Sequence, residues 1–218
     1  MNSLMNQIKF IGPYELILPK TTERFHLSAL KTSDIPQITS LLESTNVNSI
    51  DIHKSTISLP NPYTLSDAKW FVNKSIEEYR TTSRCNIWAI RNSSNDEYIG
   101  CIGLHSFKGK YLFEDERDKA LLDEGYGIGY YISLKYRNLG IVSSSVKFVC
   151  DEIAFKELRL DYVFAYVFTD NVKSQNLLKK CDFKLIKLLP NALEKSGELR
   201  DMYLFIKERG GDDDDENN

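Results

Sequence analysis

Residues 160–168, LDYVFAYVF, are apolar at almost every position. A strand with one face in water alternates apolar and polar residues, whereas a continuous apolar run needs cover on both faces. This segment therefore reads as a central strand. Helical patterns flank it. Before it, Val142, Val146, Val149, Cys150 and Ile153 are spaced as on one face of a helix. After it, Asn171 is placed to cap a helix that turns Leu177, Leu178 and Cys181 inward. A covered strand between two helices points to a layered α/β chain.

The remaining elements extend this order. A short strand is expected around YELILP. Glu23–Leu30 alternates, with Phe25, Leu27 and Ala29 on one face. A helix follows in TSDIPQITSLLES, with Ser33 as its cap and Pro36 in the first turn. Residues 46–63 read as irregular and end in LPNPY. Thr64 opens T-x-x-D, a short capping box, ahead of a helix over Ser66–Arg80. NIWAIRN and YIGCIGLHSF, separated by SSNDE, read as a hairpin. Residues 108–124 are charged and interrupt the β pattern as an insertion. GYGIGYYIS resumes a strand, and FKLIKLL and DMYLFIK are the last two, joined by PNALEKSGELR. The order is β-α-α-β-β-β-α-β-α-β-β in one domain of residues 21–208. Residues 1–20 are an N-terminal extension and residues 209–218 an acidic tail.

Charge excludes one class of partner. Five of the 31 acidic residues lie in Asp212–Glu216, and the remaining 26 stand against 28 Lys and Arg. A near-neutral body has no electrostatic footprint for nucleic acid. No apolar run approaches the ~20 residues of a membrane helix, and the first residues lack the pattern of a signal peptide. Cys85, Cys101, Cys150 and Cys181 are scattered within apolar patterns, and the three histidines are dispersed. Reduced, buried thiols in a cytoplasmic protein without a metal are the expectation.

The turn at Arg137-Asn138-Leu139-Gly140-Ile141-Val142 suggests chemistry. It joins a strand to a helix whose first amides have no partners within the helix. Those amides and the helix dipole favour an anion. Gly140 permits close approach of a ligand, Arg137 adds a permanent charge suited to phosphate, and Ser143 keeps the helix start small. No GKS or GKT follows, so this is not a P-loop, and a single glycine is not the dinucleotide fingerprint.

The R-x-x-G-x-V turn, Asn171 with Ser174 three residues on, and KKCDF (Lys179–Phe183) together resemble the GNAT family of acetyl-CoA-dependent N-acetyltransferases. FHLSALKTSDIPQI and LPNPYTLSDAKWFV resemble the branch with the ribosomal-protein alanine acetyltransferases and their fungal relatives. The resemblance covers roughly residues 20–207. It implies an α/β (mixed α+β) fold with a central, mixed, mostly antiparallel twisted sheet and helices on both faces. Arg137–Ser143 would then hold the phosphates, main-chain amides near Ile132 the pantetheine arm and carbonyl, and Ser174 the thiol end, with Asn171 also binding the cofactor. Val142 departs from the family's Gly or Ala, Asp182 from its glycine, and Leu178 from the tyrosine that many members use as the acid. The strand glutamate often used as base aligns with Gly127.

An amine attacks a thioester as the free base, and the thiolate leaves more readily with a proton. Candidates for the base are Glu194, which lies near the glutamate of the alanine acetyltransferases, its neighbour Glu198, and His105, whose ordinary pKa suits the task. Glu124 borders the insertion, and His26 and His53 have no supporting context. Tyr126, Tyr130 and Tyr131 are candidates to line the substrate side, and deprotonation through water is the alternative to a dedicated base. The sequence thus reads as an enzyme that moves an acetyl group from acetyl-CoA to a primary amine, a protein N-terminus or a small molecule, as a monomer or homodimer. The rival is a non-catalytic acyl-CoA-binding domain on the same scaffold.

Overall fold

Each strand of the sheet is placed by what it can cover. The computed structural model describes residues 10, 12–106 and 126–210. Its strands are β1 (Tyr14–Glu15), β2 (Phe25–Ala29), β3 (Ile87–Asn92), β4 (Glu97–Ser106), β5 (Tyr126–Ile132), β6 (Tyr162–Phe168), β7 (Lys184–Lys195) and β8 (Glu198–Glu208). They form one sheet in the order β1-β2-β3-β4-β5-β6-β8-β7. Every pairing is antiparallel except β5 with β6. The apolar β6 lies between β5 and β8, inside the sheet as its composition demands.

Helices cover both faces. α1 (Ile35–Leu42), α2 (Val47–Ser55) and α3 (Leu65–Thr82) lie on one face, where Ile38, Leu42, Ile52 and Val72 form a core with Ala89 and Cys101. α4 (Ile141–Phe148), which runs on as a π-helix over Val149–Glu157, and α5 (Val172–Lys180) lie on the other. There Val146, Val149, Ile153 and Leu178 pack with Trp88, Ile90, Ile102 and Ile132. The buried pair Arg91–Asp34 fastens the two layers. Arg91 Nη1 and Nη2 donate to both carboxylate oxygens at 2.8 and 2.6 Å, and Arg91 Nε donates to Ser28.

Three expectations change. Residues 47–55 are helical, which adds a third helix between β2 and β3. Asp34, not Ser33, precedes α1. The last two strands run on through the segment read as their connection, and turn only at Ser196-Gly197, both with positive φ. That pattern suits a two-residue hairpin turn. The capping box forms as read, with Thr64 and Asp67 exchanging hydrogen bonds. Residues 108–124 and 211–218 lie outside the described residues.

Candidate active site

β5 and β6 pair at two positions only, Tyr126 with Val163 and Gly127 with Phe164. Beyond them each strand keeps to its own side. β5 stays with β4 up to Ile132–Gly100, and β6 stays with β8 up to Phe168–Met202. The sheet therefore splits, and a cleft of about 1520 Å³ fills the gap. The gap lies at the carboxyl ends of two parallel strands, where ligands of open α/β sheets bind. α4 follows β5 and α5 follows β6, so both helices begin at the open end.

The turn into α4 has the geometry its sequence suggests. Gly140 sits at φ +86° and precedes α4 without a side-chain cap. The first amide bound within the helix is that of Ser144, to the Gly140 carbonyl. Asn138 is also left-handed, at φ 63°. Ser143 Oγ turns back to the Gly140 carbonyl at 2.9 Å. Val142 is 9% exposed and packs in the main core, and it also lines the cleft beside Gly140. Ile141 and Ile132 are buried beside it, and Leu139 packs on the same core.

Arg137 has a partner that sequence reasoning missed. Its Nη2 donates to Asp51 Oδ2 of α2 at 2.5 Å. The guanidinium holds the Asp51 carboxyl below the usual carboxylate range. α2 escaped notice because its apolar pattern is inverted, with Val47 and Ile50 each 66% exposed.

Across the gap, Asn171 Oδ1 accepts from the Ser174 amide at 3.2 Å and caps α5. Ser174 Oγ lies 2.9 Å from the Tyr130 hydroxyl of β5. This bond joins the two sides of the split. Burial pushes the Tyr130 phenol above its ordinary range. It therefore stays protonated at neutral pH. Leu178 is fully buried in the main core and carries no hydroxyl. Asp182 adopts φ 67°, the left-handed conformation that its place at the helix end requires.

The candidate bases separate. His105 pairs directly with Gly127 across β4 and β5, so the two share a face, and His105 lines the cleft. Its side chain is exposed to the cleft. Desolvation, with a smaller effect from Lys74, lowers its pKa below the ordinary histidine value. Gly103 makes room for it: a Cβ there would lie 2.6 Å from His105 Nε2. Glu194 and Glu198 are exposed on the β7–β8 edge and do not line the cleft. Glu124 lies outside the described residues. His26, on β2, bonds to Ser93 just after β3, and His53 is buried in α2. Tyr126 is half-buried against the main core.

On the α1–α3 face the cleft is lined by Tyr63, Phe71, Ile87, Cys101 and Tyr131, with Asp67 among them. The Tyr98 and Tyr131 hydroxyls bond at 2.7 Å. Gly129 faces open space. All four cysteines are buried and unpaired. Among the described residues, no group of His, Cys, Asp and Glu is placed to hold a metal, and no helix is long and apolar enough to cross a membrane.

Comparisons place this geometry among known proteins. No curated protein matches the sequence. A GNAT-family acetyltransferase from Bacillus anthracis superposes with a TM-score of 0.66 at 17% identity, over 89% of this chain and 98% of that one. RimL, a ribosomal L7/L12 alpha-N-protein acetyltransferase solved with coenzyme A, gives 0.67 at 16% identity, over 88% and 97%. Mycobacterium smegmatis RimJ, solved with a CoA-disulfide, gives 0.69 at 16%, over 89% and 86%. These likenesses concern the fold. The sequence itself matches the acetyltransferase (GNAT) domain model over residues 24–184, and the chain belongs to the GNAT family of acetyltransferases.

Proposed function

We propose that the protein transfers an acetyl group from acetyl-CoA to a primary amine by direct attack in a ternary complex. The observation that carries this reading is the Tyr130–Ser174 bond across the split, because it sets a hydroxyl pair in the cleft that the start of α4 and His105 also line. The residues present fit the cofactor. The uncapped amides of α4 with Arg137 suit a pyrophosphate, Asn171 borders them, and the edge of β5 beyond Gly127, unpaired with β6, offers main-chain groups up to Ile132 to an amide-rich arm. Acetyl-CoA supplies an acyl group activated as a thioester.

The chain's own groups have separable tasks. His105, neutral at pH 7, takes the proton of the attacking amine, directly or through water. It stands beside Gly127, the position where the family often carries its glutamate. Main-chain amides of β5 favour the developing oxyanion. Ser174 gives a hydrogen bond at the departing sulfur. Tyr130 orients Ser174 by donating to its oxygen, since a phenol is the stronger donor of the two. It is too weak an acid to surrender its own proton. The described acceptor side carries Tyr63, Phe71, Ile87 and Tyr131 with Asp67 among them, which suits an amine on a largely apolar body. The chemistry fits a protein N-terminus or a small apolar amine.

The test is thiol release from acetyl-CoA with a panel of short peptides, small amines and polyamines, alongside calorimetric titration with acetyl-CoA. Saturable turnover with at least one monoamine is expected. Absence of acetyl-CoA binding at high micromolar concentration would refute the cofactor, and binding without turnover on any amine would favour the acyl-CoA-binding rival.

A further inference from the structure

We infer that Asp51 competes with the cofactor's pyrophosphate for Arg137 and thereby sets the affinity for acetyl-CoA. The inference rests on the reading of the α4 turn as the phosphate site. Arg137 lies 2.5 Å from one carboxylate oxygen of Asp51, and Lys173, in the first turn of α5, lies 4.0 Å from the other. One side chain of α2 thus engages a cation from each of the two segments that frame the open end of the cleft. A pyrophosphate on the first amides of α4 brings further negative charge to the same guanidinium. Two anions close together on one cation repel each other, so the Asp51 pair and a bound pyrophosphate oppose each other.

Asp51 is the group that yields. Its side chain is 39% exposed against 21% for Arg137, so water can take up its carboxylate when the pair opens. Exposed ion pairs contribute little to stability. The helix itself stays in place. Asn48 accepts from the Leu134 amide at 2.7 Å, the Ser55 carbonyl accepts from Asn171, and the Thr56 carbonyl accepts from Lys195. The displacement is therefore a rotation of one side chain. Asp51 is a positioning residue: it acts on the cofactor through Arg137.

Calorimetry with coenzyme A and with pantetheine, which lacks the pyrophosphate, separates the possibilities. Asp51→Asn is expected to bind coenzyme A about fivefold tighter than the unaltered protein. Its affinity for pantetheine should not change. Asp51→Ser, checked by thermal melting, should shift coenzyme A binding in the same direction. Unchanged or weaker coenzyme A binding in both folded variants would overturn the inference, weaker binding meaning that Asp51 orients Arg137 for the phosphate. Equal tightening toward pantetheine would overturn it too. Failure of the unaltered protein to bind coenzyme A would remove the underlying reading itself, a result distinct from binding that Asp51 does not affect.

Discussion

His105 and Gly127 face each other across β4 and β5, so the imidazole stands beside a strand position with no side chain. An imidazole there can reach the space that a side chain at residue 127 would otherwise occupy. Its lowered pKa keeps it neutral through physiological pH.

A pH profile tests this role. With acetyl-CoA saturating, kcat/KM for the acceptor should fall on the acid side as His105 takes up a proton, with a midpoint below 6.5. Only the neutral ring accepts a proton, and desolvation, with a smaller effect from Lys74, disfavours the charged form. His105→Gln should lower the rate by about 10²–10³-fold and abolish that acid limb. The acceptor's own ionisation is common to both proteins. Near-normal turnover by His105→Gln would assign deprotonation to water.

Gly103→Ala tests the same ring without altering it. The new Cβ would lie 2.6 Å from Nε2 and 2.8 Å from Cε1, so the imidazole must swing away. Turnover should drop by about tenfold, within the range of a displaced general base. Gly129→Ala is the control on the neighbouring strand, where a Cβ meets nothing within 4 Å. It should change KM for the acceptor more than kcat. Equal effects of the two substitutions on kcat would argue against His105.

Ser174 and Tyr130 should behave as one unit. Ser174→Ala and Tyr130→Phe should each lower kcat by about tenfold or more, and the double variant should be little worse than the poorer single one. Groups that share a hydrogen bond couple in this way. Coenzyme A affinity, measured by calorimetry, should move by less than about threefold in all three, since Arg137 and the α4 amides remain. Additive losses in kcat would show two independent roles.

Asp34 and Arg91 are 1% and 0% exposed, so their pair is a matter of stability. Asp34→Asn removes the buried guanidinium's bidentate counter-charge and leaves only the exposed Asp96, 3.7 Å from Nε, at a cost of about 3 kcal/mol. Urea denaturation should show a midpoint lowered with little change in slope. Replacing both residues with apolar side chains of similar volume should cost much less.

The legible parts of the site were those built from local chemistry. Gly140, the Asn171 cap and the Thr64–Asp67 box each involve groups a few residues apart, and residue type alone predicts them. The left-handed Asp182 belongs to the same class. What escaped detection depends on distant partners. α2 presents Val47 and Ile50 outward while burying Ile52 and His53, so its periodicity carries no signal, and Asp51 went unseen with it. The split between β5 and β6 arises because each strand stays with another partner, which no single segment encodes. Tyr130 was legible as a lining residue, but its bond to Ser174 spans 44 positions. PNALEKSGELR resembles a loop, yet it continues β7 and β8 and puts Glu194 on their exposed edge. Pro190 is tolerated there because β7 is an edge strand.

Gly140 offers a last test, because its two plausible roles predict opposite orders of substitution. A Cβ at this position would find only Ser143 Oγ, at 4.0 Å, so space is not what requires a glycine. The requirement is conformational: φ is +86°, where an L-residue is strained. Alanine there costs about 1 kcal/mol or more and is relieved by turning the peptide, which re-aims the first amides of α4. Asparagine tolerates the left-handed region better. Coenzyme A should therefore bind more weakly to Gly140→Ala than to Gly140→Asn, although asparagine is the larger residue. If close contact with the phosphates were the reason for glycine, size would decide and the order would reverse. Titration of both variants with coenzyme A, with circular dichroism to confirm the fold, distinguishes a backbone that must be aimed from a surface that must be bare.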